Sequence, residues 1–285
     1  MKSLYILLIA FVSALSCLPA RAQEVISIGT RHTLFSHILN EEREYWVYTP
    51  ENQSAETGKK YPVLYLLDGD AFFHSVVGFT RLFSTSKVSS LPPCIVVGIL
   101  NTDRTRDFTP TCSAGRRDGT VHPEDKPEGG EAEAFYRFLI EELRPAIEKE
   151  LPVSGRNLLV GHSYAGLFTL NVLLTHPDAF NSYIAVDPSL WWDQGYLPKQ
   201  MEQNVGKLDF SGKQLYVAFA TQPRPDRKPI HFPLVSDFAE TIIPLMEQQH
   251  LRVHSRKFSE ETHGTVALPG FYDGLKRFFA LVGPL

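Results

Sequence analysis

The sequence predicts a three-layer α/β fold in which a mainly parallel central sheet lies between two layers of helices. Short apolar runs rich in Val, Ile and Leu recur along the chain, and such runs are typical of strands buried on both faces. Segments with helical spacing separate these runs, and this alternation requires crossover connections between parallel strands. With 285 residues, 43% of them hydrophobic, the chain can form one large core.

The predicted elements follow one another along the chain as strands and helices. Residues 43–50 alternate apolar and polar side chains, as a half-buried strand does. The buried strands are predicted at residues 61–69, 93–100, 157–163, 182–189, 214–221 and 251–259, and the helices at 131–150, 165–177, 237–250 and 270–282. Residues 102–130 show little periodicity and follow a central strand, so we expect this loop at the ligand-binding edge of the sheet.

The first 22 residues have the pattern of a secretory signal. Lys2 precedes the apolar run LYILLIAFVSAL, and the ARA stretch at residues 20–22 matches a cleavage site. The apolar run is shorter than the roughly 20 residues that a spanning helix needs. We therefore expect cleavage after Ala22, a secreted or periplasmic protein without a membrane span, and a single domain over residues 23–285. The alternatives are a retained membrane anchor and a lipoprotein signal at Cys17.

The charge balance of the chain argues against a nucleic-acid partner. Its 28 basic and 32 acidic residues give a formal net charge of −4, without the basic excess that attracts phosphates or anionic membranes. A small-molecule partner is therefore expected. Cys94 and Cys112 match no zinc or redox motif, and the sequence leaves open whether they form a disulfide. It also leaves the oligomeric state open.

The stretch LLVGHSYAG, residues 158–166, carries the strongest chemical signal in the chain. Ser163 follows a predicted strand and precedes a predicted helix, which is the context of a nucleophile elbow. The strained turn of an elbow requires small residues two positions before and after the serine, and Gly161 and Ala165 meet this requirement. We therefore predict that Ser163 is a nucleophile. The alternative is an ordinary turn serine.

A serine nucleophile needs a histidine that accepts its proton. His263 lies between the last predicted strand and the last predicted helix, where the base is expected in this chain order, so we predict that it is the base. Two backbone N–H groups are also expected to stabilise the oxyanion. We predict the N–H of Tyr164, at a helix start, and that of Gly69 or Asp70, in the loop after the strand at residues 61–67.

The residue that would orient His263 is not fixed by the sequence. No carboxylate follows the strand at residues 214–221 until Asp226. Glu260 and Glu261 lie just before His263 and are candidates to orient it locally. Three alternatives therefore stay open: Asp226, one of the two glutamates, or a Ser–His pair without a strong acid.

Five motifs, taken in order, resemble the esterase D family and, within it, the enterochelin-esterase-like α/β hydrolases that open trilactone siderophores. The motifs are YPVLYLLDGDAFFH, IVVGILNTDRTRDFTPT, GHSYAGLFTLNVLL, DPSLWWD and THGTVALPGFYDGL. The resemblance covers nearly all of the chain after the predicted signal. It implies the α/β-hydrolase fold, with Ser163 as nucleophile, His263 as base, and an oxyanion hole formed by Tyr164 and the DGD loop. Siderophore-opening members resemble Ser–His dyad enzymes, which would suit a missing acid, whereas Ala165 departs from the family's usual glycine.

The resemblance implies a serine hydrolase that cleaves carboxylic esters through an acyl-enzyme, without a metal or organic cofactor. A siderophore-type lactone is the leading substrate class. Arg104 and Arg106 are candidate ligands for catecholate or carboxylate oxygens, and Trp191 and Trp192 are candidates to stack on an aromatic acyl group. Salt bridges to neighbouring aspartates and a partly buried aromatic pair are the alternatives for these residues.

Three other functions stay open at this point. The first is an esterase that removes feruloyl or acetyl groups from carbohydrate. The second is an acyltransferase, which would use the same residues with an acceptor other than water. The third is a catalytically idle α/β hydrolase that serves as a binding module, an interpretation favoured by Ala165 and by the missing acid.

Overall fold

The computed structural model describes residues 26–50, 58–85, 92–116, 120–122, 124–222 and 231–280. The predicted signal segment and Asp226 lie outside these ranges. Within them, no helix combines the length and the apolar character that crossing a bilayer requires.

Eight strands form a single mainly parallel sheet, which confirms the predicted fold class. The strands are β1 (Thr30–Ser36), β2 (Glu41–Tyr48), β3 (Tyr61–Leu66), β4 (Ile95–Ile99), β7 (Val153–His162), β8 (Ser182–Val186), β9 (Gln214–Ala220) and β10 (Arg252–Phe258). Their order across the sheet is β1-β2-β4-β3-β7-β8-β9-β10. Strand β2 is antiparallel to both neighbours, and all other neighbouring strands are parallel. A separate hairpin consists of β5 (Cys112–Ser113) and β6 (Glu128–Gly129).

Helices cover both faces of this sheet. They are α1 (Gly69–Thr85), α2 (Arg104–Phe108), α3 (Ala132–Arg137), α4 (Arg144–Glu150), α5 (Tyr164–Thr175), α6 (Trp192–Asn204), α7 (His231–Asp237), α8 (Ile243–Gln248) and α9 (Ala267–Ala280). One π-helical turn, Phe138–Leu143, joins α3 to α4, and another, Phe238–Ile242, joins α7 to α8. Helices α1 and α9 contribute to the core on one face, and α3, α5, α6 and α8 contribute to the core on the other.

The two cores explain why the central strands are apolar at nearly every position. Along β3, Val63 and Tyr65 point into one core, while Leu64 and Leu66 point into the other. Successive side chains of a strand face opposite sides of the sheet, so a strand covered on both faces needs apolar residues throughout. Helix α5 is buried along almost its whole length, which is typical of a helix enclosed on all sides.

The first turn of α1 packs directly against the backbone of β4. A Cβ at Gly69 would lie 2.6 Å from the carbonyl carbon of Gly98 and 2.8 Å from the amide nitrogen of Ile99. Backbone atoms within a sheet cannot move aside as the end of a side chain can, so this approach requires glycine. Because β4 is the neighbour of β3 in the sheet, this contact holds the start of α1 close to the carboxyl end of β3.

The two cysteines whose pairing the sequence left open are both free thiols. Cys94 is buried beside β4, and burial raises the pKa of its thiol to about 12. Cys112 is exposed in β5.

A buried histidine joins the end of β7 to the loop after β10. The Nε2 atom of His162 lies 3.0 Å from the backbone oxygen of His263. A carbonyl oxygen can only accept, so Nε2 carries the hydrogen and donates it. Burial is the main cause that lowers the pKa of His162 to about 4, and the nearby His263 lowers it further. The imidazole of His162 is therefore neutral at neutral pH.

This buried imidazole predicts that stability falls as the solution is acidified. The pKa of His162 is about 4 in the folded protein, against an ordinary value of 6.5, so between these values the unfolded chain binds a proton that the folded protein does not. The contribution is complete above pH ~6.5 and is lost as pH falls toward ~4; from pH ~7.5 to ~5 the loss is about 2 kcal/mol.

Urea unfolding of the wild type and of His162→Gln at these two pH values measures the effect. Glutamine keeps an N–H donor but does not titrate. The free energy of unfolding of the wild type, taken relative to that of the variant, should therefore be lower at the lower pH by about 2 kcal/mol. A difference between them that is the same at both pH values would contradict the assignment.

Candidate active site

Ser163 lies in the sharp turn between β7 and α5. Its backbone has φ 62° and ψ −119°, a strained conformation for a residue with a side chain. A Cβ at Gly161 would lie only 2.3 Å from the backbone oxygen of Ala165, so the turn requires glycine at position 161. The amide of Ser163 donates to the backbone oxygen of Val186 over 3.0 Å. The hydroxyl of Ser163 is therefore presented at the carboxyl edge of the sheet.

The side chains of Ser163, His263 and Asp187 form one hydrogen-bonded line. The Nε2 atom of His263 lies 2.9 Å from the Ser163 Oγ, and its Nδ1 atom lies 2.6 Å from Oδ2 of Asp187. A carboxylate accepts hydrogen bonds, so Nδ1 carries the imidazole hydrogen and Nε2 is left to accept the serine hydroxyl. This arrangement suits an imidazole that removes the hydroxyl proton.

Asp187 is held rigidly at the end of β8. It is fully buried, its Oδ1 atom accepts from the amide of Ala220 over 3.0 Å, and its own amide donates to the oxygen of Ala218 over 2.7 Å. Its backbone has a φ of 42°. The carboxylate is therefore oriented by the neighbouring strand β9.

The structure corrects the sequence prediction for the residue that orients His263. The acidic partner of Nδ1 is Asp187, rather than Glu260 or Glu261. Glu260 is exposed in the turn that follows β10, and Asp226 lies outside the described residues. The acid follows β8, one strand earlier than the predicted position after β9. A signal was present, because Asp187 directly follows a buried strand, as Ser163 does.

Two helix N-termini lie at the same sheet edge as the Ser163 hydroxyl. Tyr164 is the first residue of α5, and Gly69 is the first residue of α1. Strands β3 and β7 are neighbours, and the amide of Leu67 donates to the oxygen of Val160 over 3.0 Å, so the loops after these strands are adjacent. The first turn of a helix presents N–H groups and positive potential to an anion.

Arg104 links these two loops. Its Nε and Nη2 atoms donate to the carboxylate of Asp68 over 2.6 and 2.9 Å, and Nη2 also donates to the backbone oxygen of His162 over 3.1 Å. Its guanidinium lies 5.3 Å from the ring centroid of Tyr164. Asp68 is buried, and it also accepts from Asn101 over 2.8 Å. The structure therefore shows Arg104 paired with protein groups, as in the salt-bridge alternative, although its partner is Asp68 and not a neighbouring aspartate.

Arg106 belongs to a cluster of salt bridges between helix α2 and strand β2. It donates to Glu41 over 2.6 and 3.1 Å and to Asp107 over 2.8 Å. The buried Arg43 also donates to Asp107, over 2.7 Å. The hydrogen bond to Glu41 is the largest cause that raises the pKa of Arg106 above its ordinary value. These contacts match the salt-bridge alternative for Arg106, because its guanidinium joins strand β2 to helix α2.

The two tryptophans differ in their surroundings. Trp192 is buried, and its Nε1 donates to the backbone oxygen of Thr111 over 3.0 Å, so it anchors the long loop and does not present a face to a substrate. Trp191 is half-buried, and its ring centroid lies 5.8 Å from that of Tyr164. Of the predicted pair, Trp191 is the residue that lies beside Tyr164 with part of its surface accessible.

Comparisons with known proteins identify the family of this chain. The family model described as "Putative esterase" matches residues 36–218. Ferri-bacillibactin esterase BesA from Bacillus subtilis is 30% identical over 251 residues, covering 84% of this chain and 86% of the relative. Apo-salmochelin esterase from Escherichia coli is 26% identical over 241 residues, covering 82% of this chain and 74% of the relative.

A solved structure supports the same assignment. The crystal structure of an IroE-like serine hydrolase from Shewanella oneidensis matches with a TM-score of 0.82 and 36% identity, covering 88% of this chain and 80% of that one. These matches confirm the resemblance carried by the five sequence motifs. The chain therefore belongs to this esterase family, and it is a carboxylic ester hydrolase with the α/β-hydrolase fold.

Proposed function

We propose that the protein hydrolyses the ester bonds of a siderophore lactone, with Ser163 as nucleophile, His263 as base and Asp187 as the residue that orients the base. The observation that carries this proposal is the hydrogen-bonded line from Ser163 through His263 to the buried Asp187. The siderophores named for the two curated relatives support the substrate class.

The first half of the reaction transfers the acyl group to the enzyme. His263 Nε2 takes the hydroxyl proton while Oγ of Ser163 attacks the ester carbonyl carbon. The imidazolium that forms is stabilised by the Asp187 carboxylate. The N–H of Tyr164 and that of Gly69 or Asp70 stabilise the negative oxygen of the tetrahedral intermediate. His263 then gives its proton to the alkoxide that leaves, and an acyl-enzyme remains.

The second half of the reaction returns the enzyme to its starting state. His263 removes a proton from a water molecule, which attacks the acyl carbon. Oγ of Ser163 then leaves and takes that proton from Nε2 of His263, as the new carboxylic acid forms. In a lactone the alkoxide that leaves stays attached to the acyl group, so ring opening gives one product that carries both a hydroxyl and a carboxylate. We propose Trp191 as the aromatic contact for the acyl group, because Trp192 is buried.

Substitution of the three proposed residues tests the chemistry. With p-nitrophenyl acetate and butyrate, Ser163→Ala should lower kcat/KM by ~10³-fold or more, and Asp187→Asn by about 10²- to 10⁴-fold. Glu260→Gln and Glu261→Gln are matched controls and should stay within about twofold of the wild type.

Two results would reject the proposed roles. Undiminished turnover by Ser163→Ala would exclude Ser163 as the nucleophile. Full activity in Asp187→Asn, with loss in a glutamate variant, would move the acid to the loop before His263. Stoichiometric labelling of Ser163 by a fluorophosphonate probe is the result expected of a serine nucleophile.

A substrate panel separates the siderophore proposal from the carbohydrate and acyl-transfer alternatives. The panel contains ferric and iron-free catecholate trilactones, feruloyl and acetyl sugars, and alcohols as candidate acyl acceptors. We expect opened trilactone as the main product, with sugar esters cleaved at least ~10-fold more slowly in kcat/KM. Exclusive cleavage of sugar esters, or acyl transfer to an alcohol in preference to water, would overturn the proposal. The ratio of ferric to iron-free turnover shows whether the reaction is coupled to iron.

We further propose that residues 1–22 are a secretory signal and that residues 23–285 form one domain that acts in the periplasm or outside the cell. The support is the charged start, the short apolar run and the ARA stretch at residues 20–22. The intact mass of the exported protein should correspond to a chain that begins at Gln23. A mass that includes the first 22 residues would contradict cleavage.

A further inference from the structure

A second serine hydroxyl lies against the proposed nucleophile. The Oγ atom of Ser189 is 3.2 Å from the Oγ atom of Ser163. Ser189 is only 1% exposed, and its amide donates to the backbone oxygen of Ser163 over 3.1 Å. Two separate contacts, one from the backbone and one from the side chain, therefore hold Ser189 against Ser163.

The surrounding hydrogen bonds determine which of the two hydroxyls donates. Nδ1 of His263 donates to Asp187, so Nε2 is the acceptor for the proton of Ser163. A hydroxyl has a single hydrogen, and that of Ser163 is used in this bond. In the bond between the two serines, Ser189 is therefore the donor and the Ser163 Oγ is the acceptor.

We propose that Ser189 is a catalytic residue that stabilises the Ser163 oxygen when this oxygen leaves the acyl group. The inference rests on the proposed role of Ser163 as the nucleophile. When the acyl-enzyme is hydrolysed, the bond between Oγ and the acyl carbon breaks and its electron pair goes to Oγ. The oxygen then takes a proton from Nε2 of His263, while Ser189 keeps its own proton and donates a hydrogen bond to the developing charge.

The effect differs between the two halves of the reaction because their starting states differ. In the free enzyme, the bond from Ser189 to the hydroxyl oxygen is already formed, so it strengthens little as Ser163 attacks. In the acyl-enzyme, Oγ is the bridging oxygen of an ester, which is a weak acceptor. There the bond becomes strong only as Oγ turns into an alkoxide, and only interactions that strengthen in the transition state accelerate a step.

The variant Ser189→Ala tests this inference in a stopped-flow experiment with p-nitrophenyl acetate. The release of p-nitrophenol reports acylation in the burst and deacylation in the steady state. We expect the deacylation rate constant to fall by about 10- to 100-fold and the acylation rate constant to change by less than about threefold. Acyl-enzyme should then accumulate on Ser163, where intact mass and peptide mapping detect it.

Two further variants act as controls. Ser182→Ala removes another buried hydroxyl, at the opposite end of β8, and should leave both rate constants unchanged. Ser189→Cys replaces the hydroxyl with a weak donor of similar size and should also slow deacylation selectively. It supplies the measurement if Ser189→Ala fails to fold, and thermal melting checks the fold of each protein.

The outcomes separate this inference from the proposed function. An equal fall in both rate constants would mean that Ser189 only positions the nucleophile, and unchanged rate constants would mean that its hydroxyl is not used. Either result overturns the role in deacylation while an acyl group trapped on Ser163 still supports the nucleophile. Absence of any acyl-Ser163, together with full activity of Ser163→Ala, would reject the proposed function itself.

Discussion

The left-handed backbone at Ser163 is the constraint on which the site depends. A conformation of this kind costs about 1–3 kcal/mol for a residue with a side chain, so the surrounding structure must enforce it. Strand β7 fixes the chain before the turn, the buried helix α5 fixes it afterwards, and the contact between Gly161 and Ala165 closes it. The same turn raises the Ser163 hydroxyl and directs the N–H of Tyr164 to the sheet edge.

The loop after β8 supports this turn from the side. Because β7, β8 and β9 are parallel and in register, His162, Val186 and Ala218 lie in one row across the sheet. The residues that follow this row therefore meet at one edge. From there Asp187 contacts the imidazole of His263 and Ser189 contacts the hydroxyl of Ser163, so one short loop supports both side chains of the proposed reaction.

The sequence predicted features that depend on neighbouring residues and missed those that depend on distant contacts. Ser163 could be predicted because its strand, its turn and its helix are contiguous. Asp187 was missed because its partner His263 lies 76 positions away, and its place directly after a buried strand was the one local signal. Arg104 presents the same difficulty, since its partner Asp68 lies in another loop. Helix α1 was missed because its run of aromatic and β-branched residues is not typical of a helix, and β1 because it is an edge strand with mostly exposed residues.

The two imidazoles at the site have opposite environments, and the difference matters for proton transfer. The rings of His162 and His263 are 4.8 Å apart, so a positive charge on one disfavours a charge on the other. His263 faces the Asp187 carboxylate, whereas His162 is buried against Phe72 and donates to a carbonyl. Because burial lowers the pKa of His162 to about 4, this ring stays neutral at neutral pH and places no charge beside His263. A neutral His162 can thus hold the backbone of His263 without opposing the imidazolium that the proposed reaction requires.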